Sequence, residues 1–265
     1  MTPSTEPEFY LTYQDSAGGI PLLLIHGFPL SGRMWDLQFP DLAEVSRLIA
    51  PDLRGHGSSM ATPPPYTMTQ LAVDCANLLD DIGINRPFAV AGLSMGGYIA
   101  FELFRQYPGM VAGLILAGTK ATPDNAEGKK GRDAAAALVQ AQGVEALVEQ
   151  MLPKLFAPAT YQEDPDLIAF TREMMLETSV EGAIGALAAM RERPDSTPTL
   201  TEIEIPTLII HGAEDQIIPQ AESEAMHQGI AGSQLVIIPA AGHLMNLEQP
   251  ELFNEAVTNF LLTIS

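Results

Sequence analysis

The chain has 265 residues, of which 46% are hydrophobic and spread along the whole length, a composition that suits a globular protein with a sizeable core and excludes a disordered one. Its 13 basic and 33 acidic residues leave a formal charge of −20, a field that repels nucleic acid and anionic membrane surfaces. There is no run of about 18 apolar residues to span a membrane, residues 1–8 lack the basic-then-apolar layout of a secretory leader, and one cysteine, Cys75, excludes an intramolecular disulfide framework; a cytoplasmic protein is expected.

In chain order, 9–13 and 21–25 read as strands, the second a continuous apolar run that leads into His26-Gly27-Phe28-Pro29. A strand over 46–51 runs into Asp52-Leu53-Arg54-Gly55-His56-Gly57. A helix over 69–82 puts Cys75 on one face with Leu71, Leu78, Leu79 and Ile82, the place of a small buried hydrophobe. The strand 88–91 enters Ala91-Gly92-Leu93-Ser94-Met95-Gly96-Gly97, and a helix over 95–106 leaves it. After a strand at 112–117 the alternation breaks. From 121 to about 201 the periodicity is helical, with helices expected at 134–142, 144–155, 165–179 and 180–191. A polar opening stretch (124–131) and a proline-containing close (194–198) bound the segment. Alternation then resumes with strand 206–210, His211-Gly212-Ala213-Glu214-Asp215, helix 221–230, strand 234–239, Ala241-Gly242-His243-Leu244 and helix 251–264. Strands alternating with helices predict an α/β fold on a mostly parallel sheet, with core 1–120 and 201–265 and a helical cap insertion over 121–200.

The chemistry centres on Ser94. Glycines at 92 and 96 allow a sharp turn between strand and helix, which lifts the serine hydroxyl to the C-terminal end of the strand, where open α/β sheets place ligands. The same turn aims the backbone N–H of Met95, at a helix N-terminus, toward a developing oxyanion. A serine needs a base to attack. Of five histidines, His243 combines a flexible loop, a strand end and a place downstream of an acid. Its acid partner is Asp215 or its neighbour Glu214, both in a turn at the same sheet edge. The order serine, acid, histidine fits an elbow-type nucleophile. No metal-ligand cluster and no dinucleotide glycine loop is apparent, so no cofactor is expected.

With motifs at 26–29, 52–57 and 92–97 and a paired one at 211–219 and 241–250 in this order, the chain resembles the α/β-hydrolase superfamily over nearly its whole length. The resemblance implies the α/β-hydrolase fold, Ser94, Asp215 and His243 as a catalytic triad with Asp215 rather than Glu214 as the acid, and the backbone N–H of Phe28 as the second oxyanion donor beside Met95. It implies that His26 and His56 shape loops, and that 121–201 is the helical cap over the active site. Ser94 argues against the relatives that use an aspartate nucleophile, epoxide hydrolases and haloalkane dehalogenases. Among serine members the chain looks like small capped carboxylesterases, 3-oxoadipate enol-lactonases and cofactor-free haloperoxidases or perhydrolases. Enol-lactonase-like sequences often lack the His-Gly that this chain keeps, and perhydrolase-like ones often carry tryptophan where Phe28 stands. Both departures favour a carboxylesterase acting on a small ester or lactone. A hydrolase-fold ligand sensor is the non-enzymatic alternative. Phe28, Pro29, Trp35 and Met95 are expected to shape the substrate pocket. Cap methionines 151, 174, 175 and 190 are candidates for an adaptable apolar wall. Arg132, Arg172, Arg191 and Arg193 are candidates for holding a substrate carboxylate, as an enol-lactonase needs.

Overall fold

A computed structural model describes residues 9–264; the leader reading on residues 1–8 lies outside them. The short apolar runs form seven strands: β1 (Tyr13–Asp15), β2 (Ile20–Ile25), β3 (Ser46–Pro51), β4 (Phe88–Leu93), β5 (Val111–Ala117), β6 (Thr207–Gly212) and β7 (Gln234–Ile238). They pair in one sheet in the order β1-β3-β2-β4-β5-β6-β7, with β1 antiparallel to β3 and every other pair parallel. All six residues of β4 are buried, because helices cover both faces of the sheet. The first strand lies later than residues 9–13. Phe9 instead stacks on the Arg54 guanidinium, 3.8 Å from its carbon to the ring centroid. Arg54 is in turn held by a bidentate pair to buried Asp74 (2.9 and 2.7 Å).

Two helices flank the centre of the sheet. α1 (Met68–Asp81) is capped by Thr67, whose side chain accepts from Gln70 N, and it buries Leu71, Cys75, Leu78 and Leu79 on one face. Full burial of a leucine contributes about 1.5–3 kcal/mol, so this stripe holds the helix to the sheet. α2 (Met95–Gln106) leaves the elbow directly. Registers Ile25↔Gly92, Leu93↔Ala117, Ala117↔Ile210 and Gly212↔Ile238 align the C-terminal ends of five strands. The His26, Ser94, Asp215 and His243 loops all leave from that one edge.

The segment between β5 and β6 is helical, as expected, with helices α3 (Ala126–Gln142), α4 (Val144–Met151), α5 (Pro165–Leu176) and α6 (Val180–Arg191). α3 begins eight residues before the expected start. Asn125 caps it by accepting from Gly128 N (2.8 Å), and Val139 is its one buried residue, so its polar opening is a solvated helix face and not a loop. α5 stops at Leu176 because Ser179 is already capping α6 through Gly182 N. α6 sits directly on the 52–57 loop. Ser179 donates to Gly55 O from both its N–H (2.9 Å) and its hydroxyl (3.0 Å), and a Cβ on Gly182 would run into the Gly55 carbonyl. Beyond the cap lie α7 (Gln220–Gly229) and α8 (Pro250–Ile264), the latter packed under β5, β6 and β7.

Candidate active site

Ser94 stands at φ 56°, ψ −113°, a backbone state that non-glycine residues rarely hold. Such a state costs about 1–3 kcal/mol and persists only where its surroundings over-determine it. Here Ser94 N donates to Ala117 O (2.9 Å), and Ser94 O accepts from Gly97 N (3.0 Å) and Thr119 Oγ1 (2.7 Å). A Cβ on Gly92 would land on Gly96 O, and one on Gly96 would land on Ile25 O. Both glycines are therefore the space that lets helix α2 approach β2 and turn the serine outward.

Asp215 and His243 come together: His243 Nδ1–H donates to Asp215 Oδ2 at 2.7 Å, with the carboxylate fully buried and the imidazole 4% exposed. Asp215 Oδ1 accepts from Ile217 N (2.8 Å) and Ile218 N (3.0 Å). Burial pushes the Asp215 carboxyl upward, but the His243 charge, its hydrogen bond and those two amides outweigh it and hold the group below its ordinary range. An ionised Asp215 fixes the proton on Nδ1 and leaves Nε2 as the acceptor. Glu214 is exposed; its amide donates to Ala241 O and so braces the His243 loop from the backbone alone. Gly118, next to the Ala117 carbonyl that holds Ser94, would put a Cβ 3.4 Å from His243 Cε1 and Nδ1, which brings the serine and the base to one turn of chain. The Ser94 hydroxyl hydrogen-bonds to no described residue, so the serine–histidine contact is not made in this conformation. Such contacts often tighten only with substrate.

The remaining histidines are occupied elsewhere. His26 Nε2 accepts from Leu53 N (2.9 Å) and its Nδ1–H donates to Gly27 O (2.8 Å), which ties the Phe28 loop to the 52–57 loop. His56 donates to Arg54 O and packs against His26, ring centroids 5.1 Å apart. Burial holds both neutral, pulling His26 down to about 4 and His56 to about 3. His211 pairs with Ser223 Oγ, and His227 with Ser233 Oγ on the surface. The Phe28 loop abuts the elbow, since a Cβ on Gly27 would lie 3.4 Å from Ser94 Cβ. Neither Phe28 N–H nor Met95 N–H donates to another described residue.

A cavity of about 320 Å³ opens between this edge and the cap, walled by Phe28 and Ile217 from the core and by Ala135, Leu147, Met151 and Leu187 from the cap. Of the four candidate arginines only Arg132 lines it. Arg172 is paired with Glu145 and Glu149, Arg191 with Asp133 and Glu192, and Arg193 with Asp124. Asp124 holds Arg132 Nε at 3.0 Å, and the terminal nitrogens of Arg132 take no other described partner. Lys154 and Gln150 share the wall; neither stood out in the sequence, where nothing distinguishes them from other solvated cap residues. Trp35 is not on this wall. It is fully buried and packs on Phe253 of α8, ring centroids 6.0 Å apart. Pro29 is buried as well, its carbonyl taken by Thr178 Oγ1 at 3.0 Å. Met174, Met175 and Met190 are core packing, and only Met151 reaches the cavity.

The model of the Alpha/beta hydrolase family matches residues 22–256. The chain belongs to that family. Within it, the chain is 31% identical to 3-oxoadipate enol-lactonase 2 of Acinetobacter baylyi over 84% of its own length and 82% of that protein's. Its fold superposes on a thermophilic esterase from Thermogutta terrifontis, solved with malate bound, at TM-score 0.95 and 41% identity, covering 99% of this chain and 97% of that one. The enol-lactonase from Burkholderia xenovorans is a second similar structure, at TM-score 0.88 and 28% identity over 95% of this chain and 96% of that one.

Proposed function

We propose that this α/β-hydrolase is a serine carboxylic-ester hydrolase whose preferred substrates carry an anionic group. The observation that carries the catalytic half is the Asp215–His243 bond, which leaves His243 Nε2 unprotonated at the edge where the Ser94 elbow emerges. His243 Nε2 takes the Ser94 proton as Oγ attacks the ester carbonyl, and the amides of Phe28 and Met95 hold the oxyanion. His243 then protonates the departing alkoxide, leaving an acyl-serine. Water attacks that acyl group by the same proton route, the acid leaves, and Ser94 is restored. The ionised Asp215 stabilises the imidazolium formed in both halves. The esterase and enol-lactonase relatives support this chemistry.

The anionic preference rests on the cavity wall. Two of the 13 basic residues in a chain of charge −20, Arg132 and Lys154, line the cavity together with Asp124, and the terminal nitrogens of Arg132 take no other described partner. A guanidinium in that position binds a carboxylate by a charge-assisted, two-point contact. The malate in the Thermogutta terrifontis esterase and the enol-lactonase relatives agree with a carboxylate-bearing ester or lactone. In the lactone case the alkoxide released in acylation stays tethered to the acyl group.

The test is turnover of neutral p-nitrophenyl esters, half-esters of dicarboxylic acids and lactones, with Ser94→Ala as control. Retained turnover in folded Ser94→Ala would remove the mechanism. Equal kcat/KM for neutral and anionic esters of matched length would remove the anionic preference. Peroxide-dependent halogenation without ester turnover would favour a perhydrolase, and binding without turnover a sensor.

A further inference from the structure

Five residues beyond the base lies Glu248, at the end of the short helix Met245–Glu248, and the catalytic scheme makes no use of it. Its carboxylate is half-buried and bridges two pieces of chain. Oε2 accepts from the N–H of Gly242, the residue before His243, at 2.5 Å. Oε1 accepts from Ala157 N (2.7 Å) and Thr160 Oγ1 (2.6 Å), both in the cap segment between α4 and α5. That segment touches the catalytic loops at three more points. Leu244 N donates to Leu155 O (3.1 Å), and Gln216 Nε2, beside the acid, donates to Phe156 O (3.1 Å). A Cβ on Gly242 would lie 2.5–2.8 Å from the Phe156 and Ala157 backbone, so the two chains are in direct backbone contact. Residues 155–160 thus form a strap across the outside of the Asp215 and His243 loops.

We propose that Glu248 is a positioning residue for His243: its carboxylate clamps the His243 loop and the cap strap 155–160 together, so that seating the cap and aligning the base are one event. The chemistry demands a carboxylate. Three donors converge on it, and an ionised carboxylate offers acceptor sites to all three. Glutamine at 248 has one acceptor oxygen, and its NH₂ must face either the Gly242 amide or the Ala157–Thr160 donors. One side of the clamp then opens, with two donors left confronting each other. A neutral carboxyl does the same. Burial and the nearby Glu214 charge raise the Glu248 carboxyl above its ordinary range, and the three hydrogen bonds oppose that rise without cancelling it.

The inference rests on the ester-hydrolase reading, but one arm of its test needs no turnover. In that arm, the low-field proton resonance of the His243 Nδ1–H···Asp215 bond is recorded in a Ser94→Ala background and assigned by its loss in His243→Ala. Adding Glu248→Gln is expected to broaden or shift that resonance. In the second arm, Glu248→Gln with Ser94 intact is expected to lower kcat about 10- to 100-fold, the scale of a misplaced catalytic group, while KM for p-nitrophenyl acetate stays within about two-fold. Thr160→Val removes one donor from the strap side alone and is expected to reduce kcat less, with the fold retained. A wild-type resonance and wild-type kcat in folded Glu248→Gln would overturn the proposal. If Glu248→Gln does not fold, Thr160→Val decides, and unchanged kcat and resonance there overturn it. Failure of the hydrolase reading would appear separately, as ester turnover surviving Ser94→Ala.

Discussion

Replacing Asp215 with asparagine tests the catalytic geometry most sharply, because the surroundings dictate how the amide must sit. Asp215 Oδ1 accepts from Ile217 N and Ile218 N, and Oδ2 accepts from His243. An asparagine keeps its carbonyl on the two backbone donors, since the reverse orientation would set an NH₂ against two N–H groups. Its NH₂ then faces His243 Nδ1, which must become the acceptor. The imidazole proton moves to Nε2, the nitrogen that has to take the Ser94 proton, and the base is blocked in its neutral form. A wrong tautomer at this position costs about 10⁴ in kcat, or roughly 5 kcal/mol of transition-state stabilisation. The variant differs from the parent by one isosteric atom, so its fold is expected to be retained. Initial rates on p-nitrophenyl acetate, with circular dichroism as a folding control and the rate of fluorophosphonate labelling at Ser94 as a second reporter, measure the effect. A folded Asp215→Asn that loses less than about ten-fold in kcat would refute the assignment. Glu214→Gln is the matched control, and its turnover is expected to stay within about two-fold of the parent.

Gly96→Ala forces a methyl onto the Ile25 carbonyl; overpacking of this kind costs about 1–3 kcal/mol, and a thermal melt is expected to fall by several degrees, with turnover lost as the elbow shifts. Arg132→Met is expected to lower kcat/KM for a dicarboxylic half-ester by about ten-fold or more and to leave the neutral ester of matched length nearly unchanged, which paired progress curves will read directly. His26 and His56 are neutral in the fold, at about 4 and about 3 against 6.5 in the unfolded chain. As pH drops below 6.5 the unfolded state takes up their protons first, so stability falls with pH between 6.5 and 4, approaching roughly 2.5 kcal/mol per pH unit near pH 5; urea midpoints that stay flat from pH 6.5 to 5 would contradict the buried neutral pair. Cys75 is fully buried and its thiol is pushed up by that burial, so it is expected to ignore a disulfide reagent in the native state and react on unfolding.

What was readable without coordinates was what local chemistry alone dictates. Strands covered on both faces read as apolar runs, and the elbow reads as glycines spaced around a serine because close backbone approach leaves no room for a Cβ. The acid and base loops are readable because parallel strands deliver their C-terminal ends to one edge. The misreadings fall where a distant partner decides. Residues 124–131 read as a polar boundary before a helix at 134, until Asn125 caps them into that helix's first turns and solvent accepts their polar face. Trp35 looked like a pocket residue beside the oxyanion loop, but Phe253, more than 200 positions away, gives its ring a buried place. Which arginine faces the cavity depends on which of the others find carboxylates, and that is a property of helix packing. Glu248 follows His243 by five residues, yet its contacts are made with the backbone amides of Gly242 and of Ala157 in the cap, which have no side-chain signature.

The two ends of the cap are fastened to the core by unlike means. At α6 the contact is backbone on backbone, Gly182 against Gly55, and tolerates no added atom. At the start of α3 an ion pair within the cap, Asp124 between Arg132 and Arg193, holds the Arg193 guanidinium 4.2 Å from the centre of the Tyr98 ring on core helix α2. The rigid end is a fixed foundation, and the polar end carries the cavity wall. Changes to the wall between 125 and 151 therefore reach the core through the Arg193–Tyr98 contact and through α6, on which α3 packs.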